Sequence, residues 1–137
     1  RDTSVTGVQT CALPIFSWGE LFDKITILQI KIENLQEKNA LNNVKTEHDQ
    51  LNTIYNNNFF KDEIARALFN DLKEINQKLW DIEDKIRDKE KSKKFDKEFI
   101  ELARNVYFIN DERSRIKRNI NKTFGSKIIE EKSYSKY

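Results

Sequence analysis

The sequence predicts an all-α protein: an antiparallel bundle of three to four helices followed by an irregular C-terminal tail. Three observations carry that expectation. Apolar residues recur at three- and four-residue steps in four separate stretches. Beyond residue 15 there is no proline and there are only two glycines, Gly19 and Gly125, which suits long uninterrupted helices. Short polar connections separate the stretches, which favours antiparallel neighbours over one extended coiled coil.

Residues 1–15 are set apart from the fold. Residues 5–15 read like the in-frame translation of a sequencing-library adapter, so we expect a non-native segment at 1–15 and a single helical domain at 16–137. Cys11 and Pro14, the sole cysteine and proline, fall inside that segment. The remaining chain then has no thiol for a disulfide, a nucleophile or a metal site, and His48 is its only histidine. No cofactor or metal is expected.

Ser17 with Glu20 three residues later matches a capping box, and opens the first predicted helix. Leu21, Ile25, Leu28, Ile32 and Leu35 form its stripe, while Ile27 and Ile30 fall on the other side. A helix that is apolar nearly all round belongs at the centre of its bundle. A turn is expected at 38–40, then a second helix to about residue 56, with one kinked helix as the alternative. Asn56, Asn57 and Asn58 read as a loop. The third helix, from about 60 to 90, carries Ala65, Leu68, Leu72, Ile75, Leu79, Ile82 and Ile86 in register. A charged turn at 89–94 leads to the fourth, which starts at Phe95-Asp96 and stops at Gly125. Ile128, Ile129 and Tyr134 in the tail follow no period.

The fourth helix contains the most informative feature. Taking Val106 as zero at the usual turn per residue, Phe99 lies at about +20° and Leu102 at about −40°. Asn110 falls at about +40°, Arg113 at about −20°, Lys117 at about +20° and Asn121 at about +60°. A core stripe thus turns polar and cationic on one helical face. A buried charge must be paired or reach water. Asn110, Arg113, Lys117 and Asn121 are therefore candidates for holding a small anion, a phosphate or carboxylate metabolite, at one end of the bundle. Gln29 and Asp71 are expected as neighbours in that pocket. A buried pair between Asp71 and Arg113, with Lys117 reaching outward, would account for the same residues without any ligand.

Other features point elsewhere. Trp80 lies off the seam of its helix and either packs on a second layer or marks a contact surface with Glu83, Asp84 and Arg87, which could form an ion-pair network. His48 in a seam position reads as a satisfied core or boundary imidazole. Charge is polarised: residues 16–90 hold 11 basic against 15 acidic side chains, residues 91–137 hold 13 against 7. The run Arg113-Ser114-Arg115-Ile116-Lys117-Arg118 could touch nucleic-acid phosphates, but Asp111 and Glu112 precede it and no groove-reading motif accompanies it. No stretch reads as a transmembrane helix or signal peptide, so the cytoplasm is the expected compartment. Catalysis has thin support, since no glycine-rich phosphate loop and no nucleophile arrangement is present.

Several runs together resemble one known family. They are Gly19-Glu20-Leu21 with Asp23-Lys24-Ile25-Thr26-Ile27-Leu28, then Leu79-Trp80 with Ile82-Glu83-Asp84 and Ile86-Arg87. The likeness continues through Phe95-Asp96, Phe99-Ile100, Leu102-Ala103-Arg104, Val106-Tyr107, Asn110-Asp111, Arg113, Lys117 and Ile120-Asn121, and closes on Glu130-Glu131-Lys132-Ser133-Tyr134. In these the chain resembles a small bacterial helical family catalogued as domain of unknown function 6165. The resemblance implies a bacterial, stand-alone helical domain and carries no activity or catalytic residue with it. The expected role is that of a non-enzymatic interaction module, engaging a protein partner or a second copy of itself. A small-anion binder or enzyme is the alternative from a different class, and a weak nucleic-acid binder is a third.

Overall fold

The computed structural model describes residues 16–125, so the expectations for 1–15 and for the tail at 127–137 lie outside the described residues. Four helices, α1 (Trp18–Asn34), α2 (Lys38–Phe59), α3 (Glu63–Lys91) and α4 (Lys97–Phe124), make up the fold, with no strand among the described residues. α1 packs against all three others, α3 and α4 pair as a hairpin, and α2 lies on α1. The near-continuous apolar surface of α1 is what allows it to serve three partners at once.

Local chemistry sets each boundary. Ser17 Oγ accepts from the Glu20 amide at 3.2 Å and starts α1. The first two helices are separate, and the break falls at 35–37 rather than at the expected 38–40. The carboxylate of Glu37 accepts from the amides of Asn39 and Ala40, which makes those residues the first turn of α2. The loop expected at Asn56-Asn57-Asn58 is instead the last turn of α2. Asn58 Nδ2 donates to the Ile54 carbonyl at 2.8 Å, and Phe59 anchors the turn by being buried. α3 therefore starts three residues later than the periodicity suggested, capped by Asp62 on the Ala65 amide at 2.9 Å. Asp96 caps α4 through the Phe99 amide at 3.0 Å, and Gly125 ends it at φ 70°, a left-handed conformation that costs glycine nothing.

The core lies where α1 begins and α4 ends. Phe22 is fully buried, ringed by Tyr55 and Phe59 of α2, Phe69 of α3 and Phe124 of α4, with ring centroids 5.1 to 6.0 Å away. Leu21, Ile25, Ala65, Leu72 and Ile120 close around it. Burying each leucine or isoleucine among them contributes about 1.5–3 kcal/mol.

The stripe on α4 is reversed in space relative to the reading above. Phe99, Leu102 and Val106, expected in the core, are only half-buried and Phe95 is 53% exposed, while Lys117, Ile120 and Asn121 are buried. Length explains this. α1 has 17 residues and spans about 25 Å, whereas the 28 residues of α4 span about 42 Å. α1 begins beside the end of α4 and runs antiparallel to it, so the first turns of α4 extend past the end of α1. Not one residue from 80 to 116 is fully buried. Among the described residues no helix is long and apolar enough to cross a membrane.

Candidate functional site

The polar residues of α4 meet an acid on α1. Gly19, Asp23 and Thr26 follow each other at four- and three-residue steps, which puts them on one face of α1, towards α3 and α4. Arg113 Nε donates to Asp23 Oδ1 at 2.9 Å, and Arg113 Nη2 donates to Asp23 Oδ2, closing a bidentate pair. The ammonium of Lys117 lies 2.5 Å from Glu20 Oε1 and 3.6 Å from Asp23 Oδ2. Asn76 of α3, at a seam position between Leu72 and Leu79, donates through Nδ2 to Asp23 Oδ1 and to Thr26 Oγ1, each at 2.9 Å. Thr26 Oγ1 in turn donates to the Asp23 carbonyl at 2.8 Å. Two cations face two carboxylates, Asp23 and Lys117 buried and Glu20 and Arg113 partly exposed, so the cluster is neutral as a whole.

Burial alone would raise the Asp23 carboxyl. The hydrogen bonds and charge of Arg113, the charge of Lys117 and the hydrogen bond from Asn76 outweigh it, and the group titrates below its ordinary value. One turn further along α4, Asn121 Oδ1 accepts the Gly19 amide at 2.7 Å. The helices touch there: a Cβ on Gly19 would sit 2.6 Å from the Lys117 carbonyl oxygen. Asn121 Nδ2 is buried with no hydrogen-bond partner among the described residues.

These contacts divide the four expected anion-site residues. Lys117 and Asn121 belong to the buried joint between α1 and α4. Arg113 and Asn110 reach a cleft on the other side of that joint, with Arg113 Nη1 turned to Asn110 Oδ1 at 3.4 Å. Neither expected neighbour is there. Asp71 points to solvent, and Gln29 faces α2, where its Nε2 lies 3.4 Å from His48 Nε2. The counter-ion is Asp23, which the sequence did not single out as a partner. Its signal was present in the spacing: Gly19, Asp23 and Thr26 share one face of a helix that is apolar over most of its surface. Half-buried His48 is the boundary imidazole of α2. The basic run 113–118 is split around the helix. Arg113 and Lys117 turn inward, and exposed Arg115 pairs with Glu112.

The cleft joins two sets of residues that the sequence left apart. Trp80, Glu83, Asp84 and Arg87 fall at steps of three, four and seven residues, on one side of α3, and all four line it. Ile27 and Ile30 of α1 and Leu79 of α3 form its apolar part, and Asn76 ties it to the buried joint. Its volume is about 360 Å³, at the lower end of the range for small-molecule sites between helices. The ion-pair network expected among Glu83, Asp84 and Arg87 is absent among the described residues. No group of three or more histidine, cysteine, aspartate or glutamate side chains suited to a metal ion occurs among the described residues.

Comparison with known proteins identifies a family. The model of a family described as "Family of unknown function (DUF6165)" matches residues 15–137. No curated protein and no solved structure matches the chain. The chain belongs to the DUF6165 family.

Proposed function

We propose that this DUF6165 protein is a non-enzymatic interaction module, and that it works by pairing the distal part of its α3/α4 hairpin with a second copy. The observation that carries this reading is the absence of any fully buried residue between positions 80 and 116, in a segment rich in apolar side chains. Ile82, Ile86, Phe99, Leu102 and Val106 form a seam that two helices alone leave half-buried, and Phe95 and Ile100 stand 53% and 56% exposed beside it. A two-helix seam is completed by further helices, as in a four-helix bundle. The charge of the segment favours a copy of itself as the partner. Residues 80–116 carry 10 acidic and 10 basic side chains, interspersed, so two such surfaces meet without net repulsion. A neutral segment is a poor match for the phosphate backbone of a nucleic acid, which rewards net positive charge.

The alternative of a receptor for an external anion at Arg113 and Lys117 fits less well, because Asp23 and Glu20 already face both cations. Sedimentation equilibrium over a range of concentrations tests the proposal. The wild type should be dimeric, and Phe95→Glu with Ile100→Glu should give a monomer with unchanged helix content. A wild type that stays monomeric at every concentration, or a variant that dimerises as well as the wild type, overturns it.

A further inference from the structure

The cleft of about 360 Å³ between α1, α3 and α4 has a local charge pattern beyond the overall neutrality that the hairpin proposal uses, and ligand binding there is measured separately from the monomer–dimer equilibrium. From it we infer that the cleft is a binding site for a small zwitterion with an apolar body, of the amino-acid class. Its ammonium group lies against Glu83 and Asp84, its carboxylate against Arg87, and its apolar part on Trp80 and the isoleucines of α1.

The contrast between two sets of charges leads to that ligand. Inside the joint every charge is matched: Arg113 by Asp23, Lys117 by Glu20 and Asp23. At the cleft, Glu83, Asp84 and Arg87 have no salt bridge among the described residues, although Glu83 and Arg87 are four residues apart on one helix face. They are exposed at the edge of the cleft, beside an apolar wall of Ile27, Ile30 and Leu79. A simple anion would meet two carboxylates and one arginine, with the charge of Arg113 already offset by Asp23. A simple cation would be drawn to Glu83, Asp84 and the face of Trp80, but would leave Arg87 beside it unmatched. A ligand bearing both charges satisfies all three side chains. The groups that shape the floor are held in place: Arg113 is locked by two bonds to Asp23, and Asn76 by bonds to Asp23 and Thr26. A site with a rigid floor loses little entropy on binding.

Isothermal titration calorimetry with three probes of one shape tests this. L-Phenylalanine carries both charges, phenethylamine lacks the carboxylate and 3-phenylpropionate lacks the ammonium group. L-Phenylalanine should bind with a Kd of about 1 mM or tighter, and each single-charge probe at least tenfold more weakly. Arg87→Ala should remove the preference for L-phenylalanine over phenethylamine. Glu83→Gln with Asp84→Asn should remove the preference over 3-phenylpropionate. These three side chains are exposed, so circular dichroism should show both variants folded. The inference is overturned if L-phenylalanine gives no saturable heat, if the three probes bind alike, or if the variants leave the order of affinities unchanged.

Discussion

Replacing Gly19 by alanine pits two effects of known size against each other. In an ordinary helix the change stabilises by up to about 1 kcal/mol, because alanine has the better helix propensity and loses less entropy on folding. Here the new Cβ would stand 2.6 Å from the carbonyl oxygen of Lys117, about 0.8 Å inside the 3.4 Å at which ordinary contact begins. The obstacle is backbone, so relief requires α1 to back away from α4. A retreat of that size would stretch the bond from the Gly19 amide to Asn121 Oδ1 from 2.7 Å to the limit of a hydrogen bond. Overpacking costs about 1–3 kcal/mol, and a buried acceptor left without its donor about 1–3 kcal/mol more. The close approach therefore wins, and Gly19→Ala should destabilise by about 2–4 kcal/mol. In urea denaturation followed by circular dichroism, that should lower the midpoint by roughly 1–2 M. A midpoint at or above that of the wild type would refute the reasoning, because α1 and α4 could not then lie as close as described.

Three further substitutions probe the joint, the core and the hairpin. Asp23→Asn leaves the guanidinium of Arg113 without its counter-charge and the buried Lys117 with Glu20 alone, and should cost about 3–5 kcal/mol in the same denaturation assay. Truncating Leu72 to alanine in the core should cost about 2–5 kcal/mol. Leu102→Ala on the half-buried seam should cost clearly less in a monomeric sample, and thermal melts of the two variants side by side will show whether it does.

The helical class and the positions of α1, α3 and α4 were legible because their periodicity is long and little interrupted, and because Ser17, Asp96 and Gly125 are strong local signals, while the separation of α1 from α2 was left open. The end of α2 was not. Three asparagines in a row resemble a loop, and only the burial of Phe59, a tertiary effect, carries the helix through them. The face shared by Arg113 and Lys117 could be read from spacing alone. Which half of α4 is covered could not, since that depends on where the shorter α1 lies along it. A stripe of Phe99, Leu102 and Val106 looks like core in any helical projection, whether or not a third helix reaches it. The choice of Asp71 as the partner of Arg113 failed for a related reason. It took the acid from α3 and only Gln29 from α1, while the central α1 brings its own acid, Asp23, to both cations.

The account turns on Asp23 being the anion that α4 encloses. Following the carboxyl carbon of Asp23 by NMR as pH is lowered tests that most directly. A carboxyl whose titration is lowered by folding contributes stability that is present above the unfolded value of about 3.9 and is lost as pH falls through the folded one. The account predicts a midpoint in the folded protein below the ordinary 3.8, with stability falling only beneath about pH 4. A midpoint at or above 3.8 would contradict it, since burial would then outweigh Arg113 and Lys117, and the two cations would need another partner.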